Sequence, residues 1–561
     1  MNWYYTLLDI TAILFSLLML RYSWYRIRFF MQVFQQTGYK RNEYWDWMKQ
    51  NWDAKVIPSD LGLFNIVLLL MIWFESWVFS QVTATALSLV LFIYGIYWFG
   101  TVKRYKPEKE KKPLVFTPRV IRLSGPLFLL AAFIPGSFLY MAYSGVMPFL
   151  DLPLPNYYVT FLSFDLLLLV FGWIFGSILY PFWVLPASLI TQPVEKSIQD
   201  GFKNDARRKL ASMPDLKVIA LTGSYGKTST KFMIRDLLKE RYNVCSTPGS
   251  YNTPMGICKV INNDLNSNHQ VLILEMGARY AGNIGELCDI AQPDISVVTN
   301  VGFAHLETFG SQDVIAHEKG TLVRRLEKGG VAVLNADDPR VSVMGQDRDD
   351  ILRIKAGLKD GDIRGSEVQY GPAGMEFRVW TGDEEELFHT KLLGAHNAQN
   401  LLLAISVGKH LGLRLKTMAL AARRMEPVEH RLEMKQAGDL IVIDDAFNSN
   451  PVGAKNAVEI LSSFKTGKRI IITPGMVELG EIEYEENRKF GEAIGKAGLD
   501  HIYLVGKERS KAILEGIKIT NGEADKVEVV ESLFEANEKV RAIAHPGDVI
   551  LYENDLPDLY G

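Results

Sequence analysis

Hydrophobic residues along the chain fall into two patterns, and the change comes near residue 195. Before it, apolar residues form long blocks at 4–20, 62–80, 82–100, 124–143 and 159–180. A membrane-spanning helix needs about 20 mostly apolar residues, and each block is long enough. A sixth block, 181–190, is short and carries Pro181 and Pro186, so it reads as an interfacial segment. Beyond 195 the apolar runs shrink to a few residues: Leu216–Leu221, Val271–Leu274, Ile295–Val298, Val331–Leu334, Leu440–Ile443, Ile470–Ile472 and Ile502–Val505. Helical patterns such as Lys231–Glu240 separate them. Short continuous runs of this kind are strands buried on both faces, which predicts parallel sheets covered by helices. The expected fold is an α-helical membrane domain of about five spanning helices followed by an α/β part.

Charge orients the first part. Arg21, Arg26, Arg28, Lys40 and Arg41 follow the first block, and eight Lys and Arg residues from Lys103 to Arg122 follow the third. The turn near Ser80 and the stretch Ser144–Tyr158 contain neither Lys nor Arg. Cytoplasmic loops are enriched in these residues. The expected topology is a multi-pass protein of the plasma membrane, with the N-terminus outside and everything beyond 195 in the cytoplasm. The first block lacks a basic leader and a small-residue cleavage site, so it reads as a span rather than a signal peptide. Asp9, Glu75 and Asp165 lie in or near spans toward the outer leaflet. Headgroup contacts or helix locking account for them, with a functional acid as the alternative. The formal net charge of −3 gives no footprint for a nucleic-acid partner. Cys245, Cys258 and Cys288 show no metal-ligand spacing and fit reduced thiols in a reducing compartment.

One segment carries chemistry of its own. Leu221-Thr222-Gly223-Ser224-Tyr225-Gly226-Lys227-Thr228-Ser229-Thr230 follows a strand-like run and opens a helix-like one. Glycines let the backbone turn tightly, so that N–H groups surround phosphate oxygens at a helix N-terminus. Lys227 is placed to reach the β- and γ-phosphates, and the Thr228 hydroxyl suits Mg²⁺. The spacing is shorter than the usual phosphate loop, and a chance glycine–lysine turn is the alternative. Other polar residues follow the next strands: Glu275, then Asn300 and His305, then Asn335, Asp337 and Asp338. Ligands in open α/β sheets bind beyond the carboxyl ends of strands. Four strands delivering polar groups to one edge points to a nucleoside triphosphate site more firmly than the loop alone.

These residues resemble the Mur ligases. The resemblance rests on Gly223–Thr230, Glu275-Met276-Gly277, Thr299–Glu307, Asn335-Ala336-Asp337-Asp338, Gly394-Ala395-His396-Asn397, His430-Arg431-Leu432-Glu433, Ile443–Pro451 and Gly475–Gly480. Within the family the pattern is nearest the subgroup that adds D-alanyl-D-alanine to a UDP-muramoyl-tripeptide. The resemblance implies a P-loop-type parallel-sheet central ATPase domain, 196–427, and a C-terminal Rossmann-like domain, 428–561, joined near Pro427, after a membrane domain at 1–195. It implies an ATP-dependent ligase that activates a carboxylate as an acyl phosphate for attack by the amine of an amino acid or short peptide. Gly223, Ser224, Gly226, Lys227, Thr228 and Ser229 then cradle ATP. Asn300, Asn335 and Asp338 join them, Arg431 reaches the phosphates and Asp445 the ribose. Thr228, Glu275 and His305 bind Mg²⁺; Lys227, Glu275, His305 and Lys319 serve catalysis; Asn252 and Thr253 face the substrate. Lys319 matches a lysine that several members carbamylate, with an ordinary helix-surface lysine as the alternative. For Asp337-Asp338-Pro339 and Asn252-Thr253-Pro254, turn and cap chemistry is the alternative. His396 and His430 read as structural.

Two departures qualify the resemblance. The family's N-terminal domain, which grips the UDP end of the substrate, is replaced by apolar blocks. The C-terminal end reads Leu551-Tyr552-Glu553-Asn554-Asp555-Leu556-Pro557, acidic where the nearest subgroup is basic. The first points to a bilayer partner and a lipid-linked glycan or peptide as acyl substrate, with a soluble substrate as the alternative. The second puts D-alanyl-D-alanine as the amine in doubt. An ATP-driven transporter or flippase, and a non-catalytic scaffold of the same fold, are the competing classes.

Overall fold

The computed structural model describes residues 3–57, 93, 96–98, 100–105, 113–144, 157–371, 374–427, 430–446, 450–477, 479–520 and 524–554. The expected span 62–80, nearly all of 82–100, Glu75, and Asp555 onward lie outside the described residues, as do the side chains of Asp9 and Asp165. The chain folds as two compact units, Met1–Ile198 and Gln199–Gly561.

The first unit is helical. Its long helices are Trp3–Gln36, Pro118–Ser144 and Tyr157–Ala211, the last of which ends in the second unit. Phe15, Met19, Tyr22, Phe30, Leu123, Leu127, Val170, Ile174 and Val184 pack into one core. The opposite faces stay apolar and uncovered: Ile13 is 60% exposed, Leu129 75% and Phe133 67%. Among the described residues two segments are long and apolar enough to cross a membrane, Pro118–Phe138 and Leu168–Ala211; of the five the sequence predicts, 62–80 and nearly all of 82–100 lie outside the described residues. The segment 181–190 is not a separate interfacial piece. It continues the helix Tyr157–Ala211, which accommodates Pro181, Pro186 and Pro193. A proline removes one backbone donor and crowds the preceding turn, and long apolar helices tolerate this where side chains and neighbours supply compensating bonds. Tyr44 donates its hydroxyl to the Pro181 carbonyl at 2.7 Å, which ties this stretch to the helix Arg41–Gln50.

The second unit holds two sheets. The first comprises β1 (Lys217–Thr222), β2 (Val244–Ser246), β3 (Val271–Glu275), β4 (Ile295–Val298), β5 (Val331–Asn335), β6 (Leu352–Gly357), β7 (Ile363–Gly371), β8 (Gly374–Trp380) and β9 (Glu385–Thr390). Their order is β2-β3-β1-β4-β5-β6-β7-β8-β9. Strands β1 to β6 are parallel and buried on both faces where β1, β3, β4 and β5 lie, as the continuous apolar runs predict. The chain leaves β1 toward one side and β4 toward the other, which opens a crevice at the carboxyl end of β1. The antiparallel extension β7–β8–β9 was not legible as strands. One of its faces is solvated and charged, with Arg378 reaching both Glu367 and Glu385, so no apolar run marks it.

The second sheet comprises β10 (Glu433–Ala437), β11 (Leu440–Asp445), β12 (Arg469–Thr473), β13 (His501–Val505), β14 (Val527–Val530) and β15 (Val549–Glu553). Its order is β10-β11-β15-β12-β13-β14, parallel except for the edge hairpin β10–β11. This is a Rossmann-like α/β layer.

Phe377 and Phe388 are fully buried on neighbouring antiparallel strands, with ring centroids 5.8 Å apart. Replacing Phe377 by Ala should lower stability by about 3–5 kcal/mol. The expected result is an earlier urea midpoint for the purified full-length chain, and an unchanged midpoint would contradict the packing.

Candidate active site

The loop after β1 is built by its neighbours. Gly226 takes a φ of 76°, in the left-handed region, and caps the helix Lys227–Leu238 without any side-chain acceptor bonding its first N–H groups. A Cβ at Gly226 would lie 2.7 Å from Asn400 Oδ1, so only glycine fits this turn. The first-turn donors and the positive end of the helix dipole thus face outward, the arrangement that binds phosphate. Asn300 braces the loop from β4. Its Oδ1 accepts from Tyr225 N at 2.9 Å and its Nδ2 donates to Tyr225 O at 3.1 Å. Thr299 Oγ1 donates to Tyr225 O at 2.6 Å, and Ser224 Oγ accepts from Gly302 N at 2.9 Å. Asn300, expected at the nucleotide, therefore has both ends of its amide committed to holding the loop.

Lys227 is half-buried and curls back over the loop, donating to Gly223 O at 2.8 Å and Ser224 O at 3.0 Å. Burial pulls its ammonium down to about 8, against the nearby Glu275 carboxylate that supports the charge.

Glu275, at the end of β3, is 1% exposed and is the centre of the site. Thr228 Oγ1 donates to its Oε2 at 2.9 Å, and Asn252 Nδ2 donates to its Oε1 at 3.1 Å. Lys231 Nζ stands 3.2 Å from Oε2. Burial raises the carboxyl's proton affinity, but Lys231 and Lys227, with Asn252 and Thr228 donating, outweigh it and hold the group below its ordinary range. A hydroxyl and an ionised carboxylate side by side fit a hard cation such as Mg²⁺, which completes its shell with water and phosphate oxygens. Among the described residues no three His, Cys, Asp or Glu side chains gather into a cage. His305 stands on its own loop at φ 61°, where it begins the short helix Leu306–Phe309.

Lys319 lies in the helix Gln312–Arg324 and is 2% exposed, so it is not the ordinary surface lysine that was the alternative. Burial, with Lys227 repelling, pulls its ammonium down to about 7. Thr253, expected at the substrate, instead caps the helix Pro254–Asn263, its hydroxyl accepting from Gly256 N. Asn335 donates to Thr299 O at 2.7 Å and accepts from Asp337 N at 2.9 Å. Asp338 accepts from Val301, Arg340 and Val341 N–H groups, and Asp337 from Leu358 and Lys359. The turn-and-cap reading of these acids is what the structure displays, and their bonds shape a cavity wall.

That cavity, about 570 Å³, lies between the two sheets of the second unit. Tyr225, Gly226, Ser229, Asn300, Asn335 and Asp338 line one side; Arg431 and Asp445 line the other, with His396 between. Its size suits a mononucleotide. Arg431 sits in a turn where His430 and Leu432 both take positive φ, 60° and 48°. Asp445 Oδ1 accepts from Leu432 N at 3.1 Å, and His430 Nδ1 bonds Asp444 Oδ2 at 2.8 Å, which hold the turn. Strained non-glycine backbone persists only where its surroundings enforce it. Burial raises the Asp445 carboxyl to about 6, while the Leu432 N–H and Arg431 oppose the rise. Burial, with Arg431 adding repulsion, lowers His396 to about 4, so its imidazole is neutral. The functional residue missed in the sequence is Lys231. Its spacing of four from Lys227 puts it on the same helix face, which was the available signal.

Residues 221–408 match the Mur ligase middle domain, and residues 430–552 match the Mur ligase, glutamate ligase domain. The UDP-N-acetylmuramoyl-tripeptide--D-alanyl-D-alanine ligase of Mycobacterium tuberculosis is 33% identical over 363 residues, covering 60% of this chain and 70% of the relative. The enzyme of the same name from Bacillus subtilis is 29% identical over 339 residues, covering 60% and 72%. Among solved structures, MurF from Acinetobacter baumannii matches with a TM-score of 0.59 and 25% identity, over 64% of this chain and 78% of that one. MurF ligase from Thermotoga maritima in complex with ADP matches with a TM-score of 0.57 and 26% identity, over 64% and 80%.

Asn300→Ala removes the brace without touching the helix N-terminus. Calorimetric titration with Mg-ADP should show binding weakened by about tenfold, with a stability loss of about 1–2 kcal/mol. Unchanged affinity would show that the loop holds its shape unaided.

Proposed function

The chain belongs to the Mur ligase family, ATP-dependent ligases that form carbon–nitrogen bonds in peptidoglycan synthesis, and on that footing we propose that it is a membrane-embedded member acting on the cytoplasmic side. One observation carries the assignment of roles. An uncapped helix N-terminus carries Lys227 and Thr228, the latter bonded to Glu275, and its residues Gly226 and Ser229 line a nucleotide-sized cavity whose opposite wall supplies Arg431 and Asp445.

In this reading the central domain runs from 196 to 427 and the C-terminal domain from 428, joined at Pro427. The first-turn N–H groups and Lys227 hold the ATP phosphates, with Arg431 closing on them from the second sheet. The planar guanidinium fork pairs with phosphate oxygens. Thr228 and Glu275 would hold magnesium, with His305 as a further candidate ligand, and the ion would supply neutralising charge for the transferring phosphoryl group. A carboxylate oxygen of the acyl substrate attacks the γ-phosphorus, the bond to ADP breaks, and an acyl phosphate forms. The amine then attacks the acyl carbon, expelling inorganic phosphate and losing a proton as the amide forms. Phosphoryl transfer asks the protein chiefly for position and fixed charge, which these residues supply. Asn252, bonded to Glu275, places the loop 247–253 against the acyl substrate.

Lys319 is the carbamylation site in this proposal. A buried amine with an ionisation near 7 keeps a large neutral fraction, and only the neutral amine adds carbon dioxide. In ¹³C-bicarbonate, NMR of the full-length chain should show a carbamate carbon that is absent in Lys319→Ala. The signal should fade below about pH 7, where the ammonium form takes over; a signal indifferent to the substitution would remove Lys319 from the mechanism.

The acyl substrate we propose is membrane-borne. Both family matches begin beyond residue 220, and the helices before them expose broad apolar faces. Lateral delivery of a lipid-linked glycan or peptide suits that arrangement. The acidic C-terminal end favours a cationic amine over D-alanyl-D-alanine. In detergent, the chain should turn over lipid-linked muramoyl-peptides faster than UDP-linked ones, and equal rates defeat the lipid assignment. ATP consumption should require both carboxylate and amine, and Lys227→Ala should lower it by about 10²-fold or more.

A further inference from the structure

Lys231 has no counterpart in the roles assigned above, yet it is 0% exposed. A lysine is almost never fully buried unless paired. Its partners are Glu275 Oε2 and the carbonyl of Gly249, to which its Nζ donates. It lies one turn beyond Lys227 and three residues beyond Thr228, so all three side chains issue from one face of the same helix.

The consequence follows from counting acceptor positions. An ionised carboxylate offers about four. On Glu275, Asn252 occupies one on Oε1, while Thr228 and Lys231 occupy two on Oε2. A carboxylate so engaged meets a cation through one remaining position. Lys231 also brings a full positive charge to the oxygen nearest the Thr228 hydroxyl, where the metal is expected. Through Gly249 it ties the loop 247–253 to the same carboxylate, and Gly277 N donating to Asn252 O at 3.0 Å anchors the loop's far end.

We propose that Lys231 is a positioning residue for the magnesium site, which limits Glu275 to single-point coordination, restrains its affinity for the cation, and latches the 247–253 loop to it. The inference rests on the magnesium role given to Glu275. A metal held too tightly would not shift with the phosphoryl group as charge moves from ATP to the acyl phosphate. The lysine weakens the hold by like-charge repulsion while fixing the carboxylate's direction.

The test is Mn²⁺ titration of the purified full-length chain in detergent with ADP present, reading free Mn²⁺ by electron paramagnetic resonance. Lys231→Gln keeps a donor for Gly249 but removes the charge; Lys231→Met removes both, and whichever keeps the wild-type melting temperature serves. The neutral variant should bind Mn²⁺ about tenfold more tightly while turning over more slowly, and amide exchange across 247–253 should quicken. Lys231→Arg keeps the charge and should keep the wild-type affinity. Affinity that is unchanged or weaker in the neutral variant, or a shift in Lys231→Arg as large, overturns the role of Lys231 alone. Wild-type protein that takes up no Mn²⁺, or Glu275→Gln that binds it equally well, overturns the magnesium site itself.

Discussion

Everything in the second unit converges on a carboxylate that is buried and still ionised. Glu275 ends a fully enclosed strand, in surroundings that would ordinarily protonate it. It stays charged because two elements send it three donors: the helix after β1 through Thr228 and Lys231, and the 247–253 loop through Asn252. Removing one partner of such a group leaves an uncompensated charge in low dielectric. The helix that follows the glycine loop and the 247–253 loop are therefore coupled through one side chain. Their relative geometry is fixed before any ligand arrives, which is what pre-organised electrostatic catalysis requires.

The second sheet contributes charged side chains of its own. Arg431 is carried on a turn with left-handed backbone on either side, and that turn is fastened to Asp445 and Asp444 at the carboxyl end of β11. Both sheets thus present their carboxyl edges to the same cavity. The groups offered by the two sheets differ in kind: an uncapped helix N-terminus with Lys227 on the first, a guanidinium and a carboxylate on the second. A ligand long enough to touch both walls is favoured over a fragment that touches one.

The sequence was informative where physics leaves a simple trace. Strands such as β3 and β5 are buried on both faces, and uninterrupted apolar runs announced them within a residue. The solvated antiparallel strands β7 to β9 left no such trace, since Arg378 and its glutamates decorate one face. Prolines at 181 and 186 suggested a break, yet the helix runs through them and through Pro193. Residue types located the site but not the division of labour within it. Asn300 and Asn335 turn to backbone partners, because a buried N–H or C=O demands a bond before a ligand can claim the side chain, and exposed Thr253 serves as a helix cap. Resemblance marks Lys319 and spacing from Lys227 marks Lys231, but only packing shows that both are buried.

The resting posture of Lys227 bears on selectivity. Its ammonium already sits against the Gly223 and Ser224 carbonyls, stripped of much of its hydration. An arriving triphosphate trades those neutral acceptors for anionic ones, an exchange of partners rather than a desolvation from bulk water. A nucleoside without phosphates offers the lysine no better acceptor than the two carbonyls it already holds.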